Sequence, residues 1–259
     1  DPTPARLPRV LDGDLPHDRA ARKQAKPDLE VLTALPPFDR HPHGALLGLG
    51  WGPTANRVRG FVWALAPDGS LDGRPHEIDL EPLYALLRES LDDLNIEGAV
   101  VMGDALWLLQ RGNSDLGANV VTEVALDEAL DALVRDRRLA ASEVRGMRSY
   151  DLGRLGEARL TFSDASPPGR ALLVFTASAE ASADTYSDGE IVGSVVGTID
   201  RDGAVRRLRT IESAYKVEGV HAALDTGVMT LTFVCDQDDA DIPSPLLSAT
   251  LPLDQEEKT

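Results

Sequence analysis

From Pro27 onward the apolar residues fall into short runs, most of them seven residues or so, separated by polar turns. Four of these runs are apolar and partly alternating: ALLGLGW (Ala45–Trp51), ALWLLQ (Ala105–Gln110), ALLVFTA (Ala171–Ala177) and VMTLTFV (Val228–Val234). Each leads into a polar loop and then a second run: RGFVWAL (Arg59–Leu65), NVVTEVAL (Asn119–Leu126), GSVVGTID (Gly193–Asp200) and LLSATLPL (Leu246–Leu253). Runs of this length, rich in β-branched and aromatic residues and bounded by Gly, Pro and Asp, predict strands. The punctuation is Gly103-Asp104, Pro167-Pro168-Gly169, Asp225-Thr226-Gly227, Asp68-Gly69 and Asp202-Gly203. Gly and Asp tolerate the positive φ that tight hairpins require.

Two segments have a helical period instead. In DLEPLYALLRESL (Asp79–Leu91) the apolar residues Leu80, Leu83, Tyr84, Leu87 and Leu91 recur three or four apart, with Asp79 placed as N-cap. In LDEALDALVRDRR (Leu126–Arg138) Leu126, Ala129, Leu130, Leu133 and Val134 do the same, with Asp127 as N-cap. Both are expected to pack as amphipathic helices on the outside of a sheet structure. Residues Asp1–Lys26 show no periodicity and read as loop with one short strand.

The strand pattern repeats. LNIEGAVVMGDALWLLQRGN (Leu94–Asn113) and YKVEGVHAALDTGVMTLTFVCDQDD (Tyr215–Asp239) align with Glu97 on Glu218. Glu30, in KPDLEVLTAL, falls in the same register, and Asp164, in LTFSDASP, is placed there too. An acid opens a strand, a turn follows, and a second strand ends in a polar loop. Repeats of four antiparallel strands are the signature of a β-propeller. The expectation is an all-β propeller of five or six blades with four antiparallel strands each, plus one or two inserted surface helices. The visible blades are approximately 28–80, 95–126, 155–210 and 216–253, and the N-terminal blade reads as incomplete.

Strand direction then places the chemistry. In an antiparallel meander the start of the first strand and the end of the second share one edge. With first strands lining the channel, Glu30, Glu97, Asp164 and Glu218 belong at one mouth of it. The loops after the second strands bring Asn56 and Arg57, Arg111 and Asn113, Glu180 and Asp184, and Asp236, Asp238 and Asp239 to the same mouth. Carboxylates held close at low dielectric repel one another. Three remedies exist: a bound cation, pairing with arginine, or protonation. Ca2+ takes about 6–8 oxygen ligands and suits a ring of carboxylates. Arg111 could instead pair with Glu97 or a neighbour. In a third arrangement each acid accepts hydrogen bonds from backbone N–H groups of the adjacent blade and fixes the blade packing.

Charge narrows the partners. The 43 acidic residues against 26 basic ones give a formal net charge of −17. That disfavours nucleic acid, whose binders need basic patches, and an anionic membrane surface. No apolar run reaches the ~18 residues of a membrane span. With Cys235 the sole cysteine, no internal disulfide forms. Cytoplasm and periplasm both stay open, and oligomeric state is not readable. Cys235 ends an apolar strand and reads as a packing residue, as do Trp51, Trp63 and Trp107. His221, three residues after Glu218, is a candidate base beside Glu97 as candidate acid. His41 and His43 flank Pro42 and offer two zinc-type ligands without a third. Asp236, Asp238, Asp239 and Asp241 have the Asp-x-Asp spacing of calcium loops without the glycine and closing glutamate of an EF-hand. No nucleophile elbow and no phosphate-binding glycine loop occurs.

The segments KPDLE, LNIEGAVVMGDALWLLQRGN, DTYSDGEIVGS and KVEGV…CDQDD resemble the motifs of an uncharacterised bacterial β-propeller family, carried as a domain of unknown function. The resemblance spans about Lys26 to Leu253 and implies a further N-terminal blade segment in other members. More distantly the pattern is similar to phytase-like esterase propellers and calcium-dependent lactonase propellers. That likeness implies carboxylates around a metal in the central channel; Glu30, Glu97, Asp164 and Glu218 are this chain's candidate metal ligands, with Ca2+ the candidate ion. The function expected is binding of a small molecule or cation at the channel mouth, with Arg111, Asn113, Asp236 and Asp238 on its rim. The alternatives are a metal-dependent hydrolase of an ester, lactone or phosphoester, and a scaffold for a partner protein without catalysis.

Overall fold

The computed structural model describes residues 9–112, 114, 117–169, 172–181, 190–211, 215–225, 227–236 and 241–252. The chain is mainly β, with four small antiparallel sheets arranged as a propeller and three helices among the described residues. Helix α1 (Arg19–Ala25) precedes blade 1, which is β1 (Leu29–Leu35), β2 (Ala45–Gly50), β3 (Arg59–Leu65) and β4 (Leu71–Asp79). Helix α2 (Glu81–Ser90) leads to blade 2: β5 (Ile96–Met102), β6 (Ala105–Gln110), β7 (Asn119–Ala125), helix α3 (Leu126–Arg135) and β8 (Val144–Tyr150). Blade 3 is β9 (Arg154–Leu155), β10 (Ala158–Ser166), β11 (Leu172–Ala181), β12 (Glu190–Asp200) and β13 (Val205–Ile211). Blade 4 is β14 (Lys216–Asp225), β15 (Val228–Asp236) and β16 (Leu246–Pro252).

The core lies between blades. Along β6, Leu106 and Leu108 join the apolar cluster shared with blade 1, while Trp107 and Leu109 join the one shared with blade 3. Blade 3 is divided likewise: Leu173 and Phe175 face blade 2, and Leu172 and Val174 face blade 4. A strand buried on both faces has no polar side to show, which is why these runs are continuously apolar rather than alternating. Phe162 and Phe175 meet edge to face with centroids 5.2 Å apart, the geometry aromatic quadrupoles favour. The first long strands of successive blades lie side by side, β1 beside β5, β5 beside β10 and β10 beside β14. This row lines the channel side of the molecule.

Several expectations need correction. Blade 2 does not end near residue 126 but continues after α3 into β8. Its sequence, VRGMRSY, is exposed and carries Arg145 and Arg148, so it lacks the apolar signature of a strand. Blade 4 has three strands among the described residues, not four. Three helices occur among the described residues rather than one or two; α1, in the segment read as loop with one short strand, has no buried residue, hence no apolar stripe to read. Asp127 is not an N-cap: β7 runs straight into α3, and the amide of Leu126 already donates to the Asp104 carbonyl at 3.0 Å. Asp79 precedes the N-cap of α2, which is Leu80, and accepts from the amide of Glu81 at 2.9 Å. Leu83, Tyr84 and Leu87 of α2, with Ala129, Leu130 and Leu133 of α3, complete the core between blades 1 and 2. The Tyr84 hydroxyl donates to the Gly50 carbonyl at 2.7 Å, tying α2 to the end of β2. None of these helices is long and apolar enough to cross a membrane.

Candidate functional site

Each channel-lining strand breaks register at one residue. Opposite β2, Leu29 pairs with Gly50 and Val31 with Leu49, leaving Glu30 as the extra residue of a β-bulge. Glu97 is the extra residue between Ile96 and Gly98, and Glu218 between Val217 and Gly219. In blade 3 the break falls between Phe162 and Asp164, so the equivalent residue is Ser163. The structural repeat is therefore polar–apolar–polar: Asp28-Leu29-Glu30, Asn95-Ile96-Glu97, Thr161-Phe162-Ser163 and Lys216-Val217-Glu218. A bulge locally kinks a strand and re-aims a side chain. Here it recurs where the acids meet.

The acids meet around two cations. Arg111, just past the end of β6 and 95% buried by area, has its guanidinium 3.3 Å from Glu97 Oε1 and bonded to Glu180 Oε1. Lys216 Nζ lies 3.0 Å from Glu218 Oε1 and 3.6 Å from Glu180 Oε1. Among the described residues Arg111 Nε is buried without a hydrogen-bond partner. Buried amides fix the backbone here. Gln110 accepts from the Asn95 amide at 2.8 Å and donates to the Asp93 and Arg111 carbonyls. Asn119 accepts from the amides of Gly112 and Phe162 and donates to the Leu160 carbonyl at 2.8 Å, stitching blade 2 to blade 3.

Burial raises four of the carboxyls above their ordinary range. Burial pushes Glu97 up to about 7; Arg111 and Asn95 oppose it and the charge of Glu218 adds to it. Asp164 is pushed up to about 7, again chiefly by burial, although it accepts from the Val220 amide at 2.8 Å. Glu218 is raised by burial against the pull of Lys216 and Arg111. Glu30 is open to solvent along one side, yet loss of hydration on the other and the charges of Glu97, Asp28 and Glu218 push it up to about 8. Six carboxyls (Asp28, Glu30, Glu97, Asp164, Glu180 and Glu218) thus lie among four cations (Lys26, Arg57, Arg111 and Lys216), an excess of two.

The remaining sequence candidates divide. Asp164 lies beside the cluster but serves as a tether from blade 3 to β14. Arg57 does not join the acids of the other blades: it pairs with Asp28 at 2.8 Å and stacks over Trp51 at 4.5 Å from the ring centroid. His221 is exposed, on the face of β14 away from buried Val220 and Ala222. It makes no hydrogen bond to the acids among the described residues. Asp236 is exposed at the end of β15, paired in register with Lys216. Asn113, Asp184, Asp238 and Asp239 lie outside the described residues. His41 stacks on His76 at 5.8 Å rather than joining His43, and Cys235 is a buried core residue. Sequence reasoning missed Lys216, Asn95, Gln110, Asn119 and Ser163. The alternation in Lys216-Val217-Glu218 and Asn95-Ile96-Glu97 was the available signal, since residues two apart share a strand face.

The guanidinium and the ammonium already lie against Glu97, Glu180 and Glu218. Among the described residues no group of three or more His, Cys, Asp or Glu side chains is arranged to hold a metal ion.

A family model described as a family of unknown function, DUF6910, matches residues 22–240. The chain belongs to the DUF6910 family. The match takes in all four channel-lining strands of this DUF6910 chain and ends before β16. No curated protein matches the sequence. Among solved structures the chain is similar to a subtype N10 neuraminidase-like protein of A/little yellow-shouldered bat/Guatemala/060/2010, at 13% identity and a TM-score of 0.40. The aligned region covers 85% of this chain and 54% of that one, so the chain spans about half the length of the protein it matches.

Proposed function

We propose that the channel mouth binds a small molecule carrying a cationic group, such as an ammonium. The observation that carries this reading is the excess of six carboxyls over four cations, with Glu30 open to solvent beside the charges of Glu97 and Glu218. A positive charge placed beside Glu30 and Glu97 releases those protons and takes over their role. Among the described residues Arg111 Nε has no hydrogen-bond partner and supplies a donor for a polar group of the same ligand. An organic cation suits the site better than Ca2+, because it needs one or two carboxylates rather than a shell of oxygens. No observation of equal weight favours a hydrolase or a partner-binding scaffold.

We read the four blades as an arc of a ring of five or six. Supporting this are apolar side chains on the outer faces of the terminal blades, Leu32 at 68% exposure in β1 and Val234 at 55% in β15. The equivalent faces of blades 2 and 3 are covered by neighbours.

The test is thermal unfolding with putrescine, spermidine, choline, glucose or Ca2+, at about pH 6 and about pH 9, on either side of the raised pKa values. A ligand that binds only the native state adds ~2.7 kcal/mol at a hundredfold excess over Kd. An organic cation is expected to raise the midpoint, more so at the higher pH, and Glu30→Gln to reduce the rise. A shift with none of the amines at either pH overturns the proposal; a shift with Ca2+ alone restores the metal reading.

A further inference from the structure

In blades 1, 2 and 3 the third strand is flanked by an outer one: β3 by β4, β7 by β8, and β12 by β13. In blade 4 the third strand, β16, is the edge among the described residues. The four edges differ in chemistry. Strand β4 carries Asp72, Arg74, Pro75 and Glu77, β8 carries Arg145 and Arg148, and β13 carries Arg206, Arg207 and Arg209. Charges and proline on an edge prevent further strands from adding. Strand β16 reads Leu-Leu-Ser-Ala-Thr-Leu-Pro, with no charge and its proline only at the last position. It has the composition of an inner strand and the position of an outer one.

The space beside it is correspondingly open. A cavity of about 700 Å3 lies between β13 and blade 4, lined among others by Ile211, Phe233, Leu247, Ala249 and Leu251. It lies on the side of blade 4 against which the outer strand of a complete blade would pack toward blade 3.

We propose that β16 pairs antiparallel with β16 of a second copy of this chain, across a two-fold axis at Ala249. The sequence is complementary to itself in that register. Leu247 then faces Leu251 of the other copy, Ala249 faces its own equivalent, and all three lie on the face lining the cavity. Ser248, which also borders the cavity, faces Thr250 of the other copy. No like charges meet along the seam, which matters for a chain of net charge −17. An isologous contact of this kind closes at the dimer and does not propagate. It joins two three-stranded blades into one six-stranded sheet and gives each β16 the neighbour its composition calls for. The contact is independent of the channel-mouth ligand.

Light scattering coupled to size-exclusion chromatography tests this across a range of protein concentrations. The wild-type chain is expected at twice its 27.8 kDa mass. S248K/T250K sets lysine against lysine across the axis, and like charges directly opposite destabilise a strand pair. It should run as a monomer with an unchanged thermal midpoint. S248K/T250E sets lysine against glutamate in the same register and should remain dimeric. A wild-type monomer at every concentration overturns the proposal, as does a dimer that S248K/T250K leaves intact. Loss of the dimer in both double variants overturns the register.

Discussion

Arg111 is the residue on which the acid cluster depends. It pairs with both Glu97 and Glu180, and it does so almost wholly out of water. Removing one partner of a buried pair leaves an uncompensated charge, which costs ~3–5 kcal/mol. Arg111→Met is therefore expected to lose about that much in urea unfolding, and Arg111→Lys, which cannot span both acids, to lose a large part of it. The raised carboxyls give a second expectation. Glu97, Asp164 and Glu30 bind protons more tightly folded, at about 7, 7 and 8, than unfolded. Their contribution is complete below the unfolded carboxylate range of about 4–4.5 and lost as pH rises through the folded values. The thermal midpoint should fall between about pH 5 and about pH 8, and Glu30→Gln should flatten that slope. A midpoint that rises over this interval contradicts the protonation argument. At this scale the sequence was partly legible. The acids of blades 1, 2 and 4 and the partner Arg111 follow from the repeat alone. Asp164 was matched acid to acid, whereas the bulge puts Ser163 in register, and nothing in a lone serine marks it as the counterpart of a glutamate. Lys216 was passed over because its neighbour Glu218 carried the alignment.

Elements hold this chemistry in place through the contacts between blades. The Asp164 carboxylate accepts from the Val220 amide, so the strand of blade 3 is pinned to that of blade 4. Asp164→Ala should cost ~1–3 kcal/mol through the unsatisfied amide, while Asp164→Asn, which keeps the acceptor, should cost clearly less. Equal losses in the two variants would assign the residue a charge role instead. On the other side, Gly98 approaches blade 3 so closely that an added Cβ lies 3.3 Å from the Ala165 nitrogen and 3.4 Å from the Asp164 carbonyl carbon. Gly98→Val should force blades 2 and 3 apart and destabilise by at least ~1–3 kcal/mol, the usual cost of overpacking. Strands buried on both faces were readable because their apolar runs are unbroken. Outer strands such as β8 were not, since a strand that meets water on its edge and one face is written in charges.

The whole molecule combines an acidic surface with a channel whose acids are only partly neutralised. At −17 the folded chain repels itself, and salt screens that repulsion over a Debye length of ~10 Å at 0.1 M. Moderate sodium chloride is expected to raise the thermal midpoint; a fall would show that surface ion pairs outweigh the net charge. The propeller arrangement and its repeat were visible in the sequence, whereas the number of strands in blade 4 was not, because β16 itself reads as an ordinary inner strand. The central claim is that the channel mouth holds carboxyls which stay protonated near neutral pH and give up their protons to a cationic ligand. Carboxyl 13C NMR titration of glutamate-labelled protein, assigned with Glu30→Gln and Glu97→Gln, measures this directly. The predicted result is two glutamate carboxyls titrating near 7 and 8, both shifted downward by a bound amine. Titration of every glutamate within the ordinary range, about 4.3 give or take one, would contradict it.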